Sequence, residues 1–361
     1  MSEPSPSTPT RTPETLQPQG VGALPWVLLL AAVALVSLLE LALGVVWIPL
    51  RDVFSLLLGF EASVDRWHRI VLDFRLPRTL TALTAGSALG VCGLLLQTTF
   101  RNPLADPWFF GLVHSARLGV ALFVVISGSL GSTVLASLGL LSNLGLAISA
   151  GLGALGMTSV LLALAPRVGA VTLLLSGLML GQAANGLVSV VLHFTSEAQS
   201  RAFAQWNDGT FVHVGFSQWG LLVSIVALGF ACSVVLAKPL NILLLGESYA
   251  RTLGLAVERS RRATVAVAAV LSGAVTAFCG PVAFLGILAP HLARVLFRSA
   301  DHRVLLPACA LLGAGLAALA DLIVHLPWSR HFLHLNAMLG LVGGPTVVIL
   351  LLRGYGSREA S

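Results

Sequence analysis

Charge is scarce in this chain: Asp, Glu, Lys and Arg make up 10% of its 361 residues, against about 25% in a soluble domain. With 56% hydrophobic residues and a mean hydropathy of +0.91, that deficit excludes an ordinary water-soluble globule and predicts an all-α polytopic membrane protein. Cysteine is scarce too. Cys92, Cys232, Cys279 and Cys309 lie in or beside apolar runs without paired spacing, which leaves them as reduced packing residues and gives no disulfide, zinc or redox motif. No GxxxxGK[ST] loop is present, so the chain has no ATPase site of its own, and HExxH is absent, which argues against an intramembrane metalloenzyme. No catalytic, cofactor-binding or metal-ligating set stands out. The net charge of +6 resides in short loops rather than on one folded face, which argues against a nucleic-acid partner. Internal repeats with coupling carboxylates at the membrane midplane, the mark of a secondary transporter, are also missing; Glu40 and Asp321 are the nearest candidates.

What is present is a series of long apolar runs. Residues 1–23 are rich in Pro, Ser and Thr and are expected to form a disordered tail, residues 354–361 a second short tail, and 24–353 one transmembrane unit. At about 20 residues per span, helices are predicted near 25–48, 79–99, 109–128, 145–165, 171–193, 218–237, 263–279, 282–298, 304–325 and 335–352. That is ten spans, with both termini on one side. One side of this arrangement holds 13 Lys and Arg, the other 7, with Arg117 inside a span; the richer side is predicted to be cytoplasmic. Five of the seven outer cations fall between Arg51 and Arg78, a concentration that points to an acidic partner outside. Gly86 with Gly90, Gly177 with Gly181 and Gly340 with Gly344 have the spacing that lets helix backbones approach closely, read as packing within one subunit.

Between two apolar spans, Pro239 to Arg262 reads PLNILLLGESYARTLGLAVERSRR, a polar, arginine-ended surface suited to the grip of another protein. Together with RLPRTL (Arg75 to Leu80), QTTFRNPLADP (Gln97 to Pro107), LLLSGLMLG (Leu173 to Gly181), Trp206 with Gly209, GPVAFLGILAPHLAR (Gly280 to Arg294) and DHRVLLP (Asp301 to Pro307), it resembles, in order and spacing, the FecCD-type permease subunits of ABC importers that take up iron-siderophore complexes, haem and cobalamin. The resemblance runs from about residue 25 to the last span. It implies ten transmembrane helices per subunit in the type II importer fold, a multi-pass protein of the bacterial inner membrane, and a second permease subunit, identical or related. Two ATP-binding subunits holding ATP and Mg would lie beneath, with a substrate-binding protein above. An iron-siderophore complex is the expected cargo, with haem or cobalamin as alternatives.

The resemblance also assigns residues. Leu245, Gly246, Glu247, Tyr249, Ala250, Arg251, Leu253 and Gly254 match the coupling segment that sits in a cleft of the ATPase, with Gly246 permitting a tight helix junction. Arg75 and Arg78 match arginines that meet glutamates of the binding protein. Asn102, Pro103 and Leu104 form a turn at the cytoplasmic gate, opposed by Gly169, Ala170 and Val171, which are less polar than in the cobalamin permease. Departures from the family pattern are equally informative. His325 stands where an arginine is usual and joins the docking set, and Phe332 to Asn336 replace an ELPxG bend. His325, His331 and His334 either bind a metal or a haem-like substrate at the outer mouth, or anchor the membrane interface beside Trp328. His114 and Arg117, where small residues are usual, lie one helical turn apart near the start of the third span. Either they line the pathway, or Arg117 snorkels to nearby cytoplasmic headgroups.

Overall fold

The computed structural model describes residues 22–108, 110–129, 143–326 and 333–356; the expected N-terminal tail falls almost wholly outside them, as do residues 357–361, His331, Phe332 and Trp328, while residues 354–356 of the second expected tail continue the last helix. The helices in chain order are α1 (Ala23–Ala42), α2 (Leu50–Leu57), α3 (Asp65–His68), a π-helical stretch (Arg69–Arg75) running straight into α4 (Leu76–Phe100), α5 (Leu112–Ser129), α6 (Asn143–Leu164), α7 (Ala170–His193), α8 (Glu197–Asn207), α9 (Phe216–Leu244), α10 (Glu247–Thr252), α11 (Val257–Cys279), α12 (Leu285–Phe297), α13 (His302–Val324) and α14 (Leu335–Gly356). Among the described residues seven helices are long and apolar enough to cross a membrane, and three shorter apolar helices, within α5, α12 and α14, complete the ten predicted.

Helix α4 is the axis of the bundle. It is buried along almost its whole length from Thr79 onward, and α9, α11, α12 and α13 pack around it. Close approach, not large side chains, makes this possible. A Cβ on Gly86 would meet the Gly313 carbonyl of α13, one on Gly90 the Cys309 carbonyl, and one on Gly93 the Gly286 carbonyl of α12. In lipid, where apolar side chains gain nothing by leaving hydrocarbon, such backbone proximity is a principal source of helix association. Gly177 and Gly181 do the same for α7 against Phe110 and Gly111. Among the described residues a Cβ on Gly344 would meet nothing within 4 Å, whereas Gly340 and, more closely, Gly343 face the Phe284 ring.

Two links leave the helical pattern inside the bundle. After α4 the chain turns at Arg101 (φ 48) and climbs back between helices, so that α5 begins beside Gly177 and Gly181 rather than at the level of Ala170. After α11 the stretch from Gly280 to Phe284 descends before α12 starts beside Gly93. Non-helical backbone at membrane depth must have its polar groups satisfied by protein. Asn102 Oδ1 accepts from Leu104 N (2.9 Å) and Asp106 Oδ1 from Trp108 N (2.8 Å). On the second link Asn336 accepts from Ala283 N (3.1 Å) and donates to the Pro281 carbonyl (2.7 Å) and the Asp208 carbonyl (3.1 Å). The span predicted over 282–298 is accordingly a 13-residue helix, about 20 Å long, too short to cross hydrocarbon of about 30 Å.

At the end opposite the arginine-rich one, α2, α3 and the π-helical stretch cover the exit of α1 with a small core of Leu41, Ile48, Val53, Leu56 and Val71. Asp52 pins this cap: the Ser63 hydroxyl (2.5 Å) and amide (2.8 Å) donate to its Oδ1 and hold the carboxyl below its usual range.

Candidate functional site

The arginine-rich end carries the coupling segment. Helix α9 ends at Leu244, and Gly246, with φ 107, turns the chain into the six-residue α10. That φ lies in a region L side chains rarely adopt, which is why the junction takes glycine. A Cβ there would find only Arg101 Nη1, at 3.9 Å, so the requirement is conformational rather than steric. Ala250 is fully buried and seats the helix, while Leu245, Tyr249 and Leu253 are more than half exposed. Only Tyr249 lies on α10 itself; Leu245 caps α9 and Leu253 follows α10, so three exposed apolar side chains surround the short helix. Glu247 and Arg251 flank Tyr249, with Arg251 paired to Glu258 on α11, and Gly254 (φ 82) ends the segment.

One residue missed by sequence reasoning ties this segment to the rest. Arg261, buried on α11, donates through Nη2 to Glu247 Oε1 (2.8 Å) and through Nη1 to the Val168 carbonyl (3.1 Å). Val168 immediately precedes Gly169, Ala170 and Val171, where Gly169 caps α7 and Val171 is exposed. A single guanidinium therefore bridges the start of α10 and the turn assigned to the gate. In the sequence Arg261 is one of four closely spaced arginines between 251 and 262, and nothing in that run marks its partners. The opposing turn, Asn102, Pro103 and Leu104, follows Arg101 at the same end. Behind it Gln97 accepts from Arg294 Nη1 (2.8 Å) and donates to the Gly286 carbonyl (3.1 Å).

At the opposite end the structure corrects the docking assignment. Arg75 is buried, donating to the Leu41 (2.7 Å) and Val46 (2.5 Å) carbonyls, and so satisfies backbone left open where α1 ends. Arg78 is turned inward as well, 2.9 Å from Asp321 and 3.5 Å from Glu40, both almost without solvent contact. The two arginines that the sequence presents as forked docking donors instead clamp α1 and α13 to α4. Arg51, Arg66 and Arg69 are the members of that basic cluster left exposed.

His325 joins the clamp, its Nδ1 3.3 Å from Asp321 Oδ2 and 2.9 Å from the Asp321 carbonyl. It also borders an open cleft of about 430 Å³ lined by Asp208, His213, Asp321, His325 and His334, where His334 Nδ1 lies 3.2 Å from Asp208 Oδ2. Among the described residues no three side chains converge as a metal site, and His331 lies outside them. Asn336, in the segment that replaces the expected bend, stitches the non-helical link described above.

His114 and Arg117 do not act as a pair. His114 is buried under Trp108, ring centroids 5.5 Å apart, and against Gly181. Arg117 turns to α7 and donates to Asn185 Oδ1 (3.0 Å). Because α5 starts within the bundle, Arg117 is also far from the arginine-rich surface, which removes the snorkelling alternative.

Among the described residues the bundle therefore has ten apolar helices and, at its basic end, a short helix with exposed apolar side chains in and beside it. The model of the FecCD transport family matches residues 29–353. The chain belongs to that family. It is 35% identical over 331 residues to the vitamin B12 import system permease protein BtuC of Escherichia coli O127:H6 and of Shigella boydii serotype 18, covering 91% of this chain and 95% of theirs. A solved metal-chelate-type ABC transporter in an inward-facing conformation superposes with a TM-score of 0.78 over 91% of this chain and 99% of that one, at 23% identity, which shows the fold. This FecCD chain is the multi-pass permease subunit of an ABC importer, and ATP hydrolysis in such systems belongs to a partner subunit.

Proposed function

We propose that this permease carries an iron chelate of the siderophore class across the bacterial inner membrane, with both termini in the cytoplasm. A second permease subunit beside it, two ATPases holding ATP and Mg at the arginine-rich end, and a substrate-binding protein at the other complete the machine. The observation that carries the permease part of this reading is the exposure of Leu245, Tyr249 and Leu253 in and beside a short helix seated by Ala250: three exposed apolar side chains at a charged, water-facing end suit burial in a partner's cleft. Cobalamin is the second reading, favoured by the 35% identity to vitamin B12 permeases.

Two measurements test these statements separately. Replacing Gly246 by Leu forces a Cβ into φ 107, a strain of about 1–3 kcal/mol, and is expected to reduce co-purification of the ATPase and abolish uptake; unchanged association would refute the coupling role. The ligand that co-purifies with the cognate binding protein identifies the cargo. An iron chelate is expected, and a corrinoid would decide for the second reading.

A further inference from the structure

Arg117 carries a charge that nothing among the described residues balances. Its Nη1 donates to Asn185 Oδ1, its buried Nε has no hydrogen-bond partner, and none of the described ion pairs includes it. Depth makes this costly. Asn185 lies fifteen residues beyond Ala170, about 22 Å along α7 from the arginine-rich end. Toward the other end, Gln199 of α8 bonds the Val124 carbonyl (3.0 Å), seven residues or about 10 Å of helix past Arg117. The guanidinium is thus held well inside the hydrocarbon, where an arginine must face protein or water.

The surface around it is polar. Gln182, Asn185 and Ser189 share one face of α7, Gln182 and Ser189 are exposed, and the Ser189 hydroxyl donates to the Asn185 carbonyl (3.3 Å). The other flank of the same helix, with Leu180, Ala183 and Leu187, borders an apolar groove of about 680 Å³ between α5, α6 and α7. One edge of α7 is therefore built for lipid or packing and the other for something polar. Among the described residues, a second copy of this chain offers no acid at the depth of Arg117. Of the 15 acidic residues, those within the candidate spans are Glu40 and Asp321, held by Arg78, Glu258, paired with Arg251 at the mouth of α11, and Asp65 and Asp73, in the cap at the outer end before α4; Asp106 is buried against Gly286.

Resting on the permease reading, we propose that Arg117, oriented by Asn185, lines the translocation path and selects cargo that carries negative charge on its surface, such as a chelate with free carboxylates. The counter-charge missing among the described residues arrives with the cargo.

The test needs no knowledge of the natural ligand. In a Cys232→Ser background the remaining cysteines, Cys92, Cys279 and Cys309, are buried, and Gln182→Cys places a thiol one turn from Asn185. The importer assembled with its ATPase in nanodiscs is treated with an anionic sulfonatoethyl or a cationic trimethylammonium-ethyl methanethiosulfonate, without nucleotide, with ADP and with a non-hydrolysable ATP analogue. Position 182 is expected to react in at least one state, and about tenfold faster with the anionic reagent. Arg117→Gln and Arg117→Met, either of which suffices, should remove the preference, and Arg117→Lys should keep it. No reaction in any state, equal rates with Arg117 present, or a preference that survives its neutralisation would overturn the proposal. An assembly that retains its ATPase but shows no charge preference overturns this inference alone, whereas a chain that binds no ATPase overturns the permease reading beneath it.

Discussion

Arg78 stands between two buried carboxylates, and the count of charges decides how that end of the bundle answers substitution. One arginine faces Glu40 and Asp321, so removing it leaves two buried carboxyl groups without their donor at a three-helix junction. Arg78→Gln is expected to cost about 3–5 kcal/mol, read as a loss of thermal stability in detergent, with α1 the first helix to become protease-accessible. The same count predicts the opposite sign for His325→Arg. A permanent cation in place of the imidazole that lies beside Asp321 adds a second positive group to the two carboxyls, so this variant should melt at a higher temperature than the native chain. A lower melting temperature for His325→Arg would show that the cluster already carries no excess negative charge. None of this was legible in the sequence. Arg78 is 38 residues from Glu40 and 243 from Asp321, and a basic cluster beside a membrane span looks like a docking surface until its partners are seen.

At the scale of elements, Arg261 makes α10 and the start of α7 parts of one connected piece. Its two hydrogen bonds run to Glu247, at the start of the coupling helix, and to the carbonyl just before the gate turn. Displacement of α10 by a partner would thus be passed to residues 168–171 through a buried, forked cation. Arg261→Met keeps most of the side-chain volume and removes both bonds. The expected phenotype is uncoupling: ATPase association and hydrolysis persist while uptake falls at least about tenfold, near 1.4 kcal/mol of lost coupling. Equal losses of ATPase binding and uptake would make Arg261 a packing residue. The ten helices themselves were legible because long apolar runs and the membrane's thickness leave few alternatives. The depth at which α5 and α12 begin was not. Both follow links whose Gly, Pro, Asn and Asp residues read as surface turns, and only the packing of Gly93 on Gly286 and of Gly111 on Gly177 places them inside.

For the whole molecule, correcting Arg75 and Arg78 moves the expected contact with a binding protein onto other residues. The exposed cations of the cap over α1 are Arg51, Arg66 and Arg69, while Arg75 is occupied by the carbonyls of Leu41 and Val46. Long-range attraction between such arginines and acidic residues of a partner raises the encounter rate more than the final affinity, and it weakens as the screening length shrinks toward about 8 Å at physiological salt. Arg66→Glu with Arg69→Glu should therefore slow association of the cognate binding protein about tenfold at low salt, with little change in dissociation and a difference that fades as salt rises. Arg75→Glu should behave in another way altogether, lowering the yield of folded permease because buried carbonyls lose their donors. Surface plasmon resonance on the permease in nanodiscs, run across a salt series, separates the two classes. Salt-independent association by the Arg66 and Arg69 variant would mean that this cap meets lipid headgroups rather than a protein, and that the outer cleft around His213, His325 and His334 is where docking has to be sought.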